Sequence, residues 1–416
     1  MQSVLILGRQ PAIGLAELES LYEPKKVRPI GDYAALLDVD PCLLDFDRLG
    51  SSIKFCKLLS TLDTTNLEDI EQFLIKTAPQ HSQNMPEGKM LLGLSCYGHR
   101  YNAKQILRTA VNIKQAIRTT GRSVRVVPNK TTSLSSAQII HNRLLTTNGW
   151  DLVLIRDGNK TMIAQTVKVQ DIEAYTNRDQ IRPSRDPKIG MLSPKLAQTI
   201  INLSIGPLPK DTDQSICEIP VGQTIPKKHF VNSLLLDPFC GTGVIIQEAT
   251  IMGYDVIGTD INPRMVDYAK NNIKWLESID NSPIGKNINV NIQVADATNT
   301  QWEKRPTNIA SETYLGKPLS NLPKDNDLKQ IVAECNKIIK DFLSNIHPQI
   351  EPGTRLCIAI PAWHQRNGSF MHLPLLDSIG VIGYNRVRFE HARDDQLIYY
   401  RSNQIVAREL LVLTRK

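Results

Sequence analysis

Three short apolar runs between residues 234 and 296 each end in an aspartate, and this repeat constrains the fold more than any other feature. The runs 234–236, 254–259 and 289–295 precede Asp237, Asp260 and Asp296. The first run breaks into a glycine-containing turn, and a helix over 244–252 is predicted to follow it. Because the carboxyl ends of parallel strands meet at one edge of an open sheet, the three carboxylates should converge there. The C-terminal half is therefore expected to be a Rossmann-like α/β domain.

The chemistry of the first turn favours one ligand over another. A dinucleotide fingerprint GxGxxG would need glycine where Ile246 stands, and Asp237 beside the turn would repel a pyrophosphate. S-adenosylmethionine has no phosphate and carries an ammonium and a sulfonium. We expect Asp237 to pair with the ammonium region, Asp260 with the ribose diol and Asp296 with the adenine amine. The predicted cofactor-binding residues are Asp237, Pro238, Phe239, Gly241, Gly243, Asp260 and Asp296. An α/β domain whose glycines only make the bend remains open, and no metal is required.

Positive charge is concentrated in one stretch of the N-terminal half. Ten of the 49 basic residues lie between 88 and 150, where no acidic residue occurs, although the whole chain has a net charge of only +7. Such a block is typical of a module that binds a polyanion. A solvated face that happens to be basic is the alternative.

A helix predicted over 102–119 divides this stretch into two faces. At about 100° per residue, one side carries the apolar Ile106, Ala110, Ile113 and Ile117, and the other carries Lys104, Arg108, Lys114 and Arg118. The apolar face should pack and the basic face should stay available to a ligand.

The rest of the N-terminal half has the alternation of predicted strands and helices that is typical of a small α+β unit. Strands are expected over 4–7, 33–37, 91–97, 123–127 and 152–156, with a helix around Ala16, Leu18 and Leu21 among acidic residues. The pair Asp157-Gly158 indicates a hairpin leading into 161–169. The polar segment 175–189 lacks periodicity and predicts a linker. Ser193 as N-cap and Pro194 as first residue then predict a new helix.

Several classes of protein are disfavoured by composition. The opening residues lack a basic region, and no apolar run approaches about 18 residues, so neither a signal peptide nor a membrane role is expected. The seven cysteines are scattered and form no CxxC pair, which argues against a disulfide scaffold or a structural zinc site. We expect a cytoplasmic protein.

Four sets of motifs show a family resemblance. They are DPFCGTG over 237–243; ILGR over 6–9 with LAELE over 15–19; RPSRD over 182–186 with GMLSPKLAQ over 190–198; and AREL over 407–410. Together they resemble the THUMP-domain RNA methyltransferases, most closely the archaeal and eukaryotic tRNA guanine-10 N2-methyltransferases. The similarity reaches both ends and the middle, but between about 25 and 171 it rests on pattern alone.

The resemblance implies a domain order and a partner. It implies a ferredoxin-like unit over 1–50, a THUMP module over 51–172 that grips tRNA, a linker over 173–190 and a methyltransferase domain over 191–416. That last domain would have a mostly parallel sheet with an antiparallel closing hairpin. The residues predicted to contact RNA are Lys104, Arg108, Lys114, Arg118, Arg122, Arg125 and Lys130. Whether an activating protein partner is needed stays open.

The family's fourth strand ends in Asp-Pro-Pro-Tyr, which meets the target amine, and here the sequence departs from that pattern. The corresponding segment 308–316 reads NIASETYLG and lacks both prolines. Alignment through Tyr314 puts Ser311 at the acid position, whereas a one-residue contraction puts Glu312 there. We favour Glu312 as the hydrogen-bond acceptor and Tyr314 as the ring that stacks on a flipped base. Three readings stay open: methylation of a tRNA guanosine, methylation of another base amine in ribosomal RNA or DNA, and RNA binding without catalysis.

Overall fold

Two β-sheets flanked by helices make up the chain. The computed structural model describes residues 2–186, 192–208, 233–279, 288–319, 321–401 and 404–416. An eight-stranded sheet is built from the N-terminal half and a nine-stranded sheet from the C-terminal half. In this part of the chain, no helix has both the length and the apolar character needed to cross a bilayer.

The N-terminal sheet is mostly antiparallel. Its strands are β1 (Ser3–Leu7), β2 (Val27–Ile30), β3 (Ala34–Leu37), β4 (Ser52–Leu62), β5 (Met90–Tyr97), β6 (Val124–Val126), β7 (Gly149–Asp157) and β8 (Lys160–Val169). They lie in the order β2-β3-β1-β4-β8-β7-β5-β6, and only β5 pairs in parallel, with β6 and with β7. The helices of this half are α1 (Pro11–Tyr22), α2 (Leu67–Gln83), α3 (Ala103–Arg118), α4 (Ser136–His141) and α5 (Ile172–Thr176). Short 3-10 turns cover Pro24–Lys26, Pro41–Leu43 and Phe46–Arg48.

The C-terminal sheet has a parallel core with antiparallel strands at one side. Its strands are β9 (Leu234–Asp237), β10 (Asp255–Asp260), β11 (Val290–Val294), β12 (Asn308–Glu312), β13 (Arg355–His364), β14 (Phe370–Met371), β15 (Tyr384–Arg386), β16 (Ile398–Tyr399) and β17 (Val406–Arg415). The helices are α6 (Pro194–Ile205), α7 (Val244–Ile251), α8 (Pro263–Ser278), α9 (Asp325–Ile346) and α10 (Ile379–Ile382). Further 3-10 turns cover His347–Gln349, Pro374–Ser378 and Asp394–Gln396.

The order of this sheet creates a ligand crevice. The strands run β11-β10-β9-β12-β13-β17-β15, with β14 paired to β13 and β16 to β17. The chain proceeds outward from β9 through β10 to β11 and then returns to the other side of β9 as β12. Ligands of open α/β sheets bind where the strand order reverses in this way, outside the carboxyl ends. The predicted α/β class, the parallel core and the antiparallel closing strands are confirmed.

Two apolar layers hold this sheet. One layer contains buried residues of α6, α7 and α8 together with Ile13 and Ala16 of α1. The other contains the apolar face of α9, including Ile339, Phe342 and Leu343. Because α1 contributes to the first layer, the N-terminal module and the C-terminal domain share part of one core.

Most predicted elements are found, with ends that differ by one to a few residues. The hairpin at Asp157-Gly158 joins β7 to β8, with Asp157 opposite Lys160. Ser193 caps α6 by accepting a hydrogen bond from the Leu196 backbone, as predicted. The structure also contains β2, α8 and α9, which the sequence patterns described above do not predict.

The segment expected to be an irregular linker is partly helical. Residues 172–176 form α5, and Asn177–Ile181 continues it as a π-helical turn. Asp171 caps α5 by accepting a hydrogen bond from Ala174 N. The proposed boundary between residues 50 and 51 falls within one continuous sheet, because β4 pairs with β1 as well as with β8.

Candidate functional site

The turn after β9 is shaped by two glycines with positive φ. Gly241 has φ 51° and Gly243 has φ 83°. A Cβ on Gly241 would meet no atom within 4 Å, so space is open beside this residue. A Cβ on Gly243 would lie 3.0 Å from Cβ of Ala269 on α8. The first glycine therefore leaves room for a ligand, and the second allows the close packing of α8.

The three predicted aspartates lie at the carboxyl ends of three adjacent parallel strands. Asp237 is the last residue of β9, and Gly258 of the adjacent strand β10 lies opposite it in register. The Asp260 carboxylate accepts hydrogen bonds of 2.9 Å from the backbone N–H groups of Gly241 and Asn262. Ala295 N donates to Asp260 O at 3.0 Å, which brings Asp296 next to this strand end. The structure thus brings the three acids to one edge of the sheet.

Asp260 and Asp296 remain accessible, although each also organises its own turn. Burial raises the pKa of Asp260, and the two backbone N–H groups that it binds oppose that rise. Asp296 is half-buried and accepts hydrogen bonds from the backbone and hydroxyl of Thr298 at 2.9 and 2.7 Å. Both carboxylates face the crevice edge, where hydroxyl or amine groups of a ligand could be bound.

Asp237 is enclosed rather than exposed. Its relative exposure is 1%, and Oδ1 accepts a hydrogen bond of 2.6 Å from the Ser311 hydroxyl. Burial raises the pKa of Asp237 to about 8, despite the opposing hydrogen bonds from Ser311 and the Phe239 backbone. The carboxyl is therefore mostly protonated at neutral pH. The predicted pairing with an ammonium group requires that the ligand's positive charge lower this pKa.

Glu312, the last residue of β12, forms an ion pair with Arg408 of β17. The side chains are 16% and 8% exposed, respectively. Neighbouring residues of a strand point to opposite faces, so Ser311 and Glu312 cannot occupy the same position. Ser311 is fully buried and its hydroxyl is bound to Asp237, whereas the Glu312 side chain is partly exposed. Arg408 was not predicted as a site residue; the available signal was the charged pair Arg408-Glu409 beside the apolar run of β17.

Two aromatic residues border the same edge from the α9 side. Tyr314 and Phe239 both pack, partly buried, against the apolar layer of α9. Phe239 contacts Phe342 edge-on, with ring centroids 5.3 Å apart. Partial burial raises the pKa of the Tyr314 hydroxyl, and the nearby Glu334 carboxylate raises it further. An aromatic surface therefore lies next to the strand end that carries Glu312.

The segment before α6 packs against the glycine turn. Asn272 of α8 accepts a hydrogen bond from Ser184 N and donates to the carbonyls of Ser184 and Thr242, each at 2.9 Å. Asp186 forms an ion pair of 2.7 Å with Arg264 at the start of α8. Arg182 is buried, and its guanidinium has no hydrogen-bond partner among the described residues. Lys188, another basic residue of this segment, lies outside them.

The predicted two-faced helix is confirmed by α3. Asn102 caps it, and Ile106, Ala110, Ile113 and Ile117 are fully buried. Lys104, Arg108 and Arg118 are exposed, and Lys114 is half-buried. Arg125 and Lys130, which follow the helix, are also exposed.

Arg122 differs from the other predicted RNA contacts. Its two Nη atoms donate hydrogen bonds to the carbonyls of Ser82, Met85 and Pro86 and to Oδ1 of Asn148. Its Nε is buried. The last carbonyls of a helix have no partner within the helix, and the Arg122 guanidinium supplies donors to those at the end of α2. Arg122 therefore links the end of α2 to the sheet.

Comparison with known proteins gives three similarities. A family described as DNA methylase matches residues 164–271. A tRNA (guanine(10)-N2)-dimethyltransferase of Methanothermobacter thermautotrophicus is 28% identical over 185 residues, which are 44% of this chain and 43% of that protein. The protein with the same name from Methanocaldococcus jannaschii is 24% identical over 44% of each chain. The matched part therefore spans less than half of the length of these curated relatives.

The fold comparison covers more of the chain. The crystal structure of TrmN from Thermus thermophilus superposes with a TM-score of 0.50 and 14% sequence identity, covering 100% of both chains. The whole chain therefore shares the architecture of that protein, with a Rossmann-like sheet preceded by an α+β module.

Proposed function

We propose that this chain transfers a methyl group from S-adenosylmethionine to the exocyclic N2 amine of a guanosine in tRNA, in the cytoplasm. The observation that carries the proposal is the clustering of four acidic side chains at the carboxyl ends of four neighbouring strands: Asp296, Asp260, Asp237 and Glu312. The two curated relatives are named for this reaction, and they align with the chain over part of their length.

The turn after β9 fits the methyl donor. The open space beside Gly241 admits a ligand close to the backbone, and Asp260 and Asp296 offer acceptors for hydroxyl and amine hydrogens. Asp237, Pro238, Phe239 and Gly243 complete the wall of this site. When bound, S-adenosylmethionine supplies a methyl group on a positively charged sulfur, and no phosphate has to be accommodated. The acidic character of the edge therefore suits the donor.

Glu312 is the proposed acceptor for the target amine. The lone pair of an exocyclic amine is delocalised into the base, so a side chain that accepts its hydrogens helps the nitrogen become tetrahedral as it attacks. The Glu312 side chain is 16% exposed, whereas the Ser311 hydroxyl is buried and bound to Asp237. The amine nitrogen would bond to the methyl carbon as the carbon–sulfur bond breaks, the sulfur would leave as a neutral thioether, and the amine proton would pass to the Glu312 carboxylate. Tyr314 would stack on the base and hold it there.

The basic surface of the N-terminal module would hold the RNA. Lys104, Arg108, Lys114, Arg118, Arg125 and Lys130 form a surface without acidic neighbours in sequence, and such residues anchor phosphates. Phosphate contacts fix the register of the RNA and so determine which base reaches the crevice. Arg122 supports this surface from inside.

One assay tests the proposal. The chain is incubated with labelled S-adenosylmethionine and with bulk tRNA, ribosomal RNA or DNA, and the methylated nucleoside is identified after digestion. N2-methylguanosine from tRNA is the expected product. The match to the DNA methylase family favours a second candidate, a different base amine, and a label in DNA or ribosomal RNA would establish it. RNA binding without any label would show a non-catalytic protein.

Two substitutions separate the acceptor positions. Glu312→Gln keeps the shape of the side chain but lowers its strength as an acceptor, and it should slow methyl transfer at least about 100-fold, in the range of general acid–base or acceptor groups. Ser311→Ala should slow it much less. Donor binding, measured by calorimetry, should be unchanged in Glu312→Gln. Equal rates for the wild type and Glu312→Gln would place the acceptor elsewhere.

A further inference from the structure

A cavity of about 450 Å³ lies between the N-terminal module and the C-terminal domain. Its wall comes from the β1–α1 turn, the loop before β4, α5 with the π-helical turn, the start of α6, and the strand end after β16. The volume lies within the range of about 300–1,000 Å³ that is typical of ligand pockets. The site residues proposed above do not line it.

The lining is positively charged. Arg9 and Arg401 are exposed, and neither has an ion pair within the described part of the chain. Lys195 is half-buried, donates a hydrogen bond of 2.6 Å to Gln170 Oε1 and lies over the ring of Tyr175. Asp179 is the one carboxylate in the described wall. The three cations therefore outweigh the single acid.

Two helices begin at this cavity and add to its positive potential. α1 begins at Pro11 and α6 at Pro194, each is 12 residues long, and neither has an acidic residue in its first turn. Gln10 does not cap α1, because its amide nitrogen donates to the carbonyls of Ile398 and Tyr400. Helix N-termini carry a partial positive charge and unpaired N–H groups. The cations and the helix ends together indicate an anionic ligand.

Buried hydrogen bonds and a close backbone contact hold the loop before β4 in this wall. Both oxygens of the Glu17 carboxylate accept hydrogen bonds of 2.9 Å, one from Gly50 N and the other from Ser51 N. A Cβ on Gly50 would lie 1.9 Å from the Lys195 carbonyl, so only glycine allows this loop to approach α6. The cavity is therefore preorganised, which reduces the entropic cost of binding.

The cavity lies on the same edge of the sheet as the crevice. The C-terminal end of α6 is at the opposite edge, because Ser204 O accepts a hydrogen bond from Asn308 at the start of β12. Its N-terminal end, which lines the cavity, is therefore near the carboxyl ends of the strands. Tyr399, which lines the cavity, lies opposite Arg408 in the pairing of β16 with β17. Arg408 in turn forms the ion pair with Glu312.

We propose that this cavity binds a nucleotide phosphate of the RNA strand that presents the target base. The proposal rests on the proposed function, since it names the part of the substrate that reaches past Glu312. A phosphate matches Arg9, Arg401 and the two helix ends, and the exposed amide of Gln180 suits a ribose hydroxyl. A free mononucleotide has the same chemistry, and the experiment separates the two sources.

The test compares RNA binding by Arg9→Ala, Arg401→Ala and the double variant with that of the wild type. Arg388→Ala is the matched control, because Arg388 is exposed and does not line the cavity. Its neighbour Phe389 contacts Arg355 at the start of β13, at the opposite edge of the sheet. Dissociation constants for bulk tRNA are measured between about 50 and 200 mM salt. Calorimetry with guanosine 5′-monophosphate and with S-adenosylmethionine completes the set.

The double variant should bind tRNA about tenfold more weakly and show a salt dependence reduced by one to two phosphate contacts, while donor binding stays unchanged. Loss of guanosine monophosphate binding alone, with tRNA binding intact, would overturn the RNA assignment and identify a free-nucleotide site. Behaviour like that of Arg388→Ala with both ligands would overturn the proposal. Failure of methyl transfer, with RNA binding still dependent on Arg9 and Arg401, would contradict the proposed function but not the cavity.

Discussion

Asn202 of α6 donates a hydrogen bond of 2.7 Å to the carboxylate of Glu17 on α1. The same amide donates to Arg48 O at 2.8 Å, and its oxygen accepts from Arg48 Nε at 3.0 Å. Arg48 in turn donates to the Tyr254 hydroxyl at 3.1 Å. This buried polar group joins the N-terminal module to the C-terminal domain, and it fixes the position of one relative to the other.

Asn202→Ala should therefore destabilise the whole chain. It removes a donor from the buried Glu17 carboxylate and an acceptor from the buried Arg48, and loss of partners for buried charged groups costs about 3 kcal/mol or more. Urea unfolding measures the change in the free energy of unfolding. Asn271→Ala, at an exposed position of α8, is the control and should have little effect. Similar losses in both variants would contradict this role of Asn202.

The Asp237 carboxyl should make stability fall with rising pH. Its pKa is raised from 3.8 to about 8, so between these values the folded chain holds a proton that the unfolded chain releases. Stability from this group is full below pH 4 and is lost as the pH rises towards 8, by up to about 1.4 kcal/mol per pH unit. Asp237→Asn should lack this component. Urea unfolding of both proteins at pH 5 and 7.5 tests it, and parallel pH profiles would contradict it.

Replacement of the two glycines of the turn should have unequal effects. In Gly241→Ala only the positive φ is unfavourable, at a cost of about 1–2 kcal/mol. Gly243→Ala adds the contact of 3.0 Å with Ala269 Cβ, so its loss of unfolding free energy should be larger. Ala269→Gly should recover part of that loss in the double variant. Thermal and urea unfolding measure these differences, and equal effects without recovery would show that α8 does not limit this position.

Two groups of basic residues on the N-terminal module should respond differently to substitution, one in tRNA binding and the other in melting temperature. Lys104→Gln with Arg108→Gln should weaken tRNA binding and reduce its salt dependence by up to about two phosphate contacts, without lowering the melting temperature. Arg122→Gln should instead lower the melting temperature, because four acceptors lose their donors. Binding titrations and thermal unfolding of both proteins provide the test. Unchanged melting of Arg122→Gln would assign it to the RNA surface after all.

Arg408 should hold the Glu312 side chain in position. Arg408→Met removes the ion-pair partner of a carboxylate that is only 16% exposed. Methyl transfer should therefore slow, and the free energy of unfolding should fall by about 3 kcal/mol, because breaking a buried ion pair leaves one charge without its partner. Arg408→Lys should keep most of the wild-type rate and stability. Methyl-transfer assays and urea unfolding measure both effects, and a wild-type rate in Arg408→Met would contradict this role.

Local sequence determined much of this molecule. The apolar runs before Asp237, Asp260 and Asp296 produced the three adjacent strand ends, because a short buried run that ends in a turn is a strong strand signal. The spacing of Ile106 and Ile113 determined which face of α3 is buried, since helical periodicity does not depend on distant residues. The cap at Ser193 is equally local.

Tertiary structure decided the burial, the charge state and the interaction partners of individual residues. Glu17 is an acidic residue of α1, yet α6 covers it, and burial raises its pKa. Arg122 lies in the basic stretch 88–150, but its guanidinium donates hydrogen bonds to carbonyls at the end of α2 and to Asn148. The different partners of Ser311 and Glu312 depended on the strands near β12, because β9 supplies Asp237 to the first and β17 supplies Arg408 to the second. Periodicity is set along the chain, whereas burial, charge state and partners are set by segments that meet only when the chain folds.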